Sequence, residues 1–479
     1  MFKKITYILL IAFAYSITVS AQEVAISDEL SIRNYFSYEL IGQIEDRILV
    51  YRDKGFNKEM DVYNEELEHT QFSEFIFEKR KTDVYTIIGQ DTAFQMLYGF
   101  LENDSLVVRM REYDKVVRLI DSTTLTKIHK KEIKRRFNYS WSENKAKVLL
   151  TSISGDNLVR FIVYDCRLKA ITWHQNILFD KMKIRDFQEF TITDIGNIML
   201  QVRGDGIENE SLSFILVNPL INKQFDFVID MDGRSYNNVY FTFDNKNRNV
   251  VISGTYSEKR GKEVKGLFFY KKNINALEDI DFPKFLEFGA TLGEEVLQGK
   301  RRNRKRVFDD LELQNVILRN DGGALIVCEI TKDYSRRSPY NSGYTARDGR
   351  YSGYSRRGWI DYYNEDIVVL NINPEVEFDW TKVLYKKQFS QDDDAVFSSF
   401  YIMKTPSRLR FIYNDDIKKN STVSEYLMDP TGRIARNSLL STKYQDMKLR
   451  FGDAVQLSGN SILVPSEKNY DLNLVKITY

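Results

Sequence analysis

The chain has 479 residues, 43% of them hydrophobic and 13% aromatic, with 69 Lys and Arg against 68 Asp and Glu. That length supplies an ample core without a metal or disulfide staple, and 2 cysteines exclude both a disulfide framework and a Cys-based zinc cluster. Balanced charge argues against a general nucleic-acid binder, and aromatic richness with only 7 prolines argues against wholesale disorder.

Met1 to Gln22 reads MFKKITYILLIAFAYSITVSAQ. Lys3 and Lys4 form a positive start, an apolar stretch follows, and Val19-Ser20-Ala21 offers small residues for cleavage. This predicts a secretory signal peptide over residues 1–21. The apolar run, broken by Thr6, Ser16 and Thr18, falls short of the ~20 residues of a membrane span. No cysteine follows the cleavage site to take a lipid, and no later segment has the length of a span, so no transmembrane segment is expected in the mature chain. Cleavage removes Lys3 and Lys4 and leaves 67 basic against 68 acidic residues. Cys166 and Cys328 would then face an oxidising compartment. Lying 162 positions apart in separate strand-like runs, they are read as two small buried apolar side chains.

Beyond the leader, alternation and β-branched or aromatic runs dominate. One helical candidate stands out, Thr126 to Arg136 (TKIHKKEIKRR). The rest falls into units of three or four short strands. First strands are predicted to begin near Phe36, Val84, Phe137, Phe187, Asn238, Glu312, Val396 and Asp453. Apolar second strands follow, such as Arg47–Arg52 and Lys147–Ser154, then third strands such as Leu158–Asp165 and Ser211–Asn218. Turn residues punctuate them, as at Gly155-Asp156-Asn157 and Asp321-Gly322-Gly323. The starts are spaced by 48, 53, 50, 51, 74, 84 and 57 residues, and a polar insertion accounts for the excess in the 84-residue interval.

Four strands per ~50 residues is the signature of a propeller blade, whose sheet cannot bury both faces alone. The last unit supplies three strands, and Val24–Ser27 is expected to add its fourth. The chain therefore resembles the β-propeller superfamily over nearly all of its mature length. The resemblance implies an all-β fold of eight blades (seven as the alternative), closed by an N-terminal strand, in one domain over residues 22–479. No WD dipeptide, kelch double glycine or Asp-box recurs, so no family's functional residues transfer.

Catalytic signatures are scarce. His69, His129 and His174 lie in different units without ligand spacing. No nucleophile elbow, phosphate-binding loop or dinucleotide fingerprint occurs, so no catalytic residue, metal ligand or cofactor is assigned. Asp230-Met231-Asp232-Gly233 lacks the later acids of a calcium loop and reads as a turn. Asp392-Asp393-Asp394, taken as strand residues, would point to alternate sides. Arg203-Gly204-Asp205 reads as part of a hairpin turn.

Charge is distributed unevenly. Lys300 to Arg306 carries six basic residues and no acid, while Tyr334 to Trp359 carries six arginines, five tyrosines, a tryptophan and one acid. Both fall in basic insertions (299–306 and 333–360) of the sixth unit, expected as loops on one face. Arginine forks suit phosphate, sulfate or carboxylate, and tyrosine stacks on sugars or guanidinium planes. The candidate binding residues in the first insertion are Arg301, Arg302 and Arg304. In the second they are Arg336, Arg337, Tyr340, Tyr344, Arg347, Arg350, Tyr351, Tyr354, Arg356, Arg357 and Trp359. The sequence thus points to a secreted, non-catalytic binding or scaffold module of a Gram-negative envelope, periplasmic or on the cell surface. Its expected partner is an anionic glycan or an acidic envelope protein, with no nucleic acid. The competing expectation is a glycoside hydrolase or lyase with its site in the propeller channel, which would need converging acids that sequence does not single out.

Overall fold

The computed structural model describes residues 23–479 except 134–137, 155–156, 180–186, 203–210, 259–262, 299–306, 338–357, 416–421 and 442–446. The predicted leader and Arg203-Gly204-Asp205 lie outside the described residues. The chain is all-β, with eight sheets that are the blades of an eight-bladed β-propeller, antiparallel except for the short strand Ile280–Asp281, which pairs parallel to the outer strand of blade four. It divides into two compact units, one of Met1–Phe75 with Ser399–Tyr479 and one of Ile76–Ser398.

The first unit holds blades one, seven and eight. Glu23–Ile26 pairs with Asp471–Thr478 and supplies the fourth strand of blade eight, as the sequence predicts. Ile48 and Val50 of blade one pack against Leu463 and Leu474 of blade eight. Met403 and Ile412 of blade seven pack on Ile462 and Val475. The second unit holds blades two to six. Each seam there is apolar on both sides: Leu97 and Val108 meet Val148 and Ile162, and further along Leu267 and Phe269 meet Ile326 and Val368. These inner strands are buried on both faces, which is why they read as continuous apolar runs. Cys166 and Cys328 are unpaired and buried, and burial pushes both thiols up to about 12.

The repeat carries a chemical mark as well as a period. In seven blades the third strand runs into an Asp or Asn whose Oδ1 accepts backbone N–H groups of the following turn. These are Asn64, Asp114, Asp165, Asn218, Asn273, Asn373 and Asp429. This satisfies amides that the turn would otherwise leave open, and it fixes the hairpin to the fourth strand.

Three expectations need correction. The helical candidate at Thr126 is strand where it is described: Leu119–His129 forms the outer strand of blade two and Lys130–Glu132 is a single 3-10 turn, while 134–136 lie outside the described residues. Leu125 and Ile128 are buried in the core between blades two and three, so sheet pairing overrides the local helical pattern. Blade seven starts at Phe400 rather than Val396, because Val396 N–H and Ser398 N–H bond to Asp393 and Ala395 carbonyls in a turn. Asp392, Asp393 and Asp394 are not consecutive strand residues, since Gln388–Gln391 ends before Asp392 and two of the three have positive φ.

The 74-residue interval also has its explanation. A helix, Ala290–Leu297, is inserted after blade five and buries Leu292, Val296 and Leu297 beside Phe308. Two turns are too short for periodicity to announce.

Candidate functional site

The second basic insertion is where the structure departs most from the repeat. Its composition predicts a loop from Tyr334 to Trp359. Instead, the second and third strands of blade six extend into it as Ala324–Arg337 and Gly358–Ile372, lengths of 14 and 15 residues. Pairing continues through Tyr334↔Asp361 to Arg336↔Trp359 and Arg337↔Gly358. No burial alternation supports this stretch, since Thr331 and Lys332 are half-buried and Asp333, Tyr334 and Ser335 are all exposed.

A β-bulge marks where the hairpin leaves the blade. Glu329 pairs with Ile367 and Thr331 with Asn364, so Glu365 and Asp366 oppose the single Ile330. Below the bulge the strand Ala324–Ile330 is wholly buried; above it, Asp333 and Tyr334 are exposed. An added strand, Gln388–Gln391, then pairs with Asp361–Asn364 and makes the extension three-stranded. Tyr363 bridges it through edge contacts to Tyr334 at 5.7 Å and Phe389 at 4.9 Å. Lys332 Nζ reaches Asp310 Oδ2 at 2.9 Å.

Beneath the extension sits a buried polar core. The Lys386 ammonium is 0% exposed and forms an ion pair with Glu329. It also donates to Gln388 Oε1 and, at 3.1 Å, to the Ser398 carbonyl. Asn364 Nδ2 donates to Glu329 Oε2 at 3.1 Å, and Ser398 Oγ donates to Asn364 Oδ1 at 2.8 Å. The bulge turns Asp366 so that its Oδ1 accepts the Lys386 amide at 3.2 Å. Desolvation holds the Lys386 ammonium below the usual lysine range, opposed by Glu329 and Asp366. The aspartate run closes the assembly: Asp392 Oδ1 accepts Ile360 N–H at 2.8 Å, and Asp394 Oδ1 accepts the Tyr362 hydroxyl at 3.2 Å. Each charge has a partner, and the cluster lies too deep to meet a substrate. It positions the hairpin.

Of the sequence-predicted site residues, the structure brings Arg336, Arg337 and Trp359 together as the last paired positions of that hairpin. Arg301, Arg302, Arg304, Tyr340, Tyr344, Arg347, Arg350, Tyr351, Tyr354, Arg356 and Arg357 lie outside the described residues. Sequence reasoning missed Lys386, Glu329, Asn364 and Ser398. Their spacing carries no signal, because a bulge and a turn bring them together. Elsewhere, His69 Nε2 lies 2.9 Å from Asp61 Oδ1, and Arg52 Nε donates to Asp61 Oδ2 at 2.6 Å. This is an ion cluster within blade one, which Glu59 joins at 3.4 Å from Arg52. The Asp230–Gly233 segment is a turn, as predicted, with Arg234 N–H bonded to the Met231 carbonyl at 3.0 Å.

No family model matches the chain, and no curated protein matches it. Among solved structures it is similar to an uncharacterised protein of Listeria monocytogenes (8% identity, 80% of this chain and 88% of that one, TM-score 0.40). It is also similar to the β-propeller domain of the trilobed protease from Pyrococcus furiosus (9% identity, 84% and 98%, TM-score 0.38). A third is the polysaccharide lyase Uly1 (7% identity, 82% and 89%, TM-score 0.37).

Proposed function

We propose that this protein is a binding or scaffold module of the bacterial cell envelope that engages an anionic partner, a charged glycan or an acidic protein surface, through the blade-six hairpin. The observation that carries the reading is the investment in that hairpin. Its strands outrun the blade, a bulge redirects them, a third strand braces them, and a buried ion pair fixes their base. Scaffolds that hold a recognition segment rigidly lower the entropy cost of binding. Between the two strands the chain carries residues 338–357, with four arginines, four tyrosines and one acid. Export and envelope residence rest on the leader-like residues 1–21.

The test is binding of the full mature chain to dextran sulfate, compared with a variant carrying Arg→Gln at 347, 350, 356 and 357. Affinity at low salt is expected to fall at least tenfold, and the salt dependence to flatten, because four forked cations are removed. Equal affinity and equal salt dependence would overturn the proposal.

A further inference from the structure

The hairpins joining third to fourth strands emerge from the sheet ends opposite the blade-six extension, since antiparallel strands alternate direction. In blades two, three and four their tips read KVVRLI (115–120), RLK (167–169) and PLINK (219–223). Together they hold five basic residues, Lys115, Arg118, Arg167, Lys169 and Lys223; Arg118 is paired with Asp114 at 2.8 Å, at the foot of its own tip. Leu119, Ile120, Leu168, Leu220 and Ile221 stand between 52% and 80% exposed. The turns that carry Leu168 and Leu220 are fixed from within, while Leu119 and Ile120 open the outer strand of blade two. Asp114 Oδ1 accepts the Val116 and Arg118 amides, Asp165 Oδ1 those of Arg167 and Leu168, and Asn218 Oδ1 that of Leu220.

The tips are neighbours on one edge of the second unit. Lys169 at the tip of blade three reaches Glu112 of blade two at 2.9 Å. The first-to-second-strand turns of blades three, four and five, on the same edge, are chained by Asn144 N–H to Asp194 Oδ1 (3.0 Å) and Asp194 N–H to Asn245 Oδ1 (2.9 Å). The character changes abruptly in blade five. There the equivalent turn reads INALED (274–279), with Ile274 and Leu277 folded onto the core and two acids added. In blade six it reads PEVE (374–377), with Val376 packed inward. The turn geometry therefore does not require exposed aliphatic residues; blades two to four display them.

We infer that the tips of blades two to four form a peripheral docking edge for an anionic lipid bilayer, the aliphatic side chains entering the interface and the basic ones resting on headgroups. Separate points, each of one or two branched aliphatic residues set among cations, suit a surface that yields around them. A protein partner would need a continuous complementary patch of ~800 Å², and its hot spots favour aromatic residues, which these tips lack. Interfacial binding instead adds apolar burial to attraction by acidic lipids. Seated this way, the second unit would present the blade-six hairpin away from the membrane.

Co-sedimentation of the full mature chain with phosphatidylcholine vesicles, with and without about 30 mol% phosphatidylglycerol to give a negative surface potential, tests this. Binding is expected only with the acidic lipid. Leu168→Ser with Leu220→Ser, both at exposed positions that leave folding intact, should weaken it about tenfold. Arg167→Gln with Lys223→Gln should weaken it by a similar factor and remove much of its salt dependence. A variant lacking residues 338–357 should bind as the parent does. No binding of the parent would overturn the inference. So would binding lost only with residues 338–357, or binding that survives the serine pair unchanged.

Discussion

Blades two and six close the same hairpin, between second and third strands, in opposite ways. In blade two, Ala93–Glu102 and Ser105–Asp114 meet at Asn103-Asp104, two residues at φ 46° and 58° that make the tight left-handed turn suited to sheet twist. In blade six the hairpin continues past the bulge and is held by Lys386, Glu329 and the added strand. One closure is written in two adjacent residues; the other depends on tertiary partners. The difference teaches that the fold does not require the blade-six extension, and that the chain maintains it at the cost of burying an ammonium.

The largest effect should come from breaking the tertiary closure. Lys386→Met leaves Glu329 buried without its cation and is expected to cost about 3–5 kcal/mol in urea unfolding. Pairing it with Glu329→Leu should recover most of that loss, because a buried pair replaced by apolar groups is near neutral. A single-variant cost under ~1 kcal/mol would mean the pair contributes little to holding the extension.

Breaking the local closure should cost less. Alanine at both Asn103 and Asp104 keeps the left-handed backbone but loses its two most tolerant side chains, for about 2 kcal/mol in the same assay. An unchanged midpoint would show that blade two is also held from outside its turn.

A smaller and pH-dependent effect should mark the Asx turns. Burial pushes the Asp165 carboxyl up, but the Lys147 ammonium and the Leu168 and Arg167 amides outweigh this and hold it below the usual range. A carboxyl whose folded pKa is depressed adds stability above its unfolded pKa, and that stability is lost as pH falls through the folded value. Asp165→Asn should therefore cost about 1 kcal/mol at pH 7 and progressively less as pH drops below ~4. A difference that stays constant over that range would contradict the assignment.

The same contrast explains what the sequence made legible. The blade period and the completing strand at Val24 were readable because each blade repeats its alternation and burial on its own strands. The Asx mark at Asp114, Asp165 and Asn218 was present in the letters but hidden by variable turn lengths. The 126–136 segment misled because its helical spacing is local, whereas its strand partners Leu106 and Val107 lie about twenty residues away. The base of the blade-six site was illegible for a stronger reason. Glu329, Asn364, Lys386 and Ser398 meet only after a bulge and a 3-stranded pairing have formed, and no spacing rule encodes that. The Arg/Tyr composition suggested a loop and concealed that the two flanks of that segment, 334–337 and 358–359, are paired strand.

The central claim is that the braced hairpin exists for what it presents. Replacing residues 338–357 with Asn-Gly would give blade six a closure of blade two's kind while keeping the strands, bulge and ion pair. Measured by salt-gradient elution from a sulfated resin alongside urea unfolding, this variant is predicted to retain stability within ~0.5 kcal/mol and to elute at markedly lower salt. Elution at the parent's salt concentration with stability intact would contradict the account.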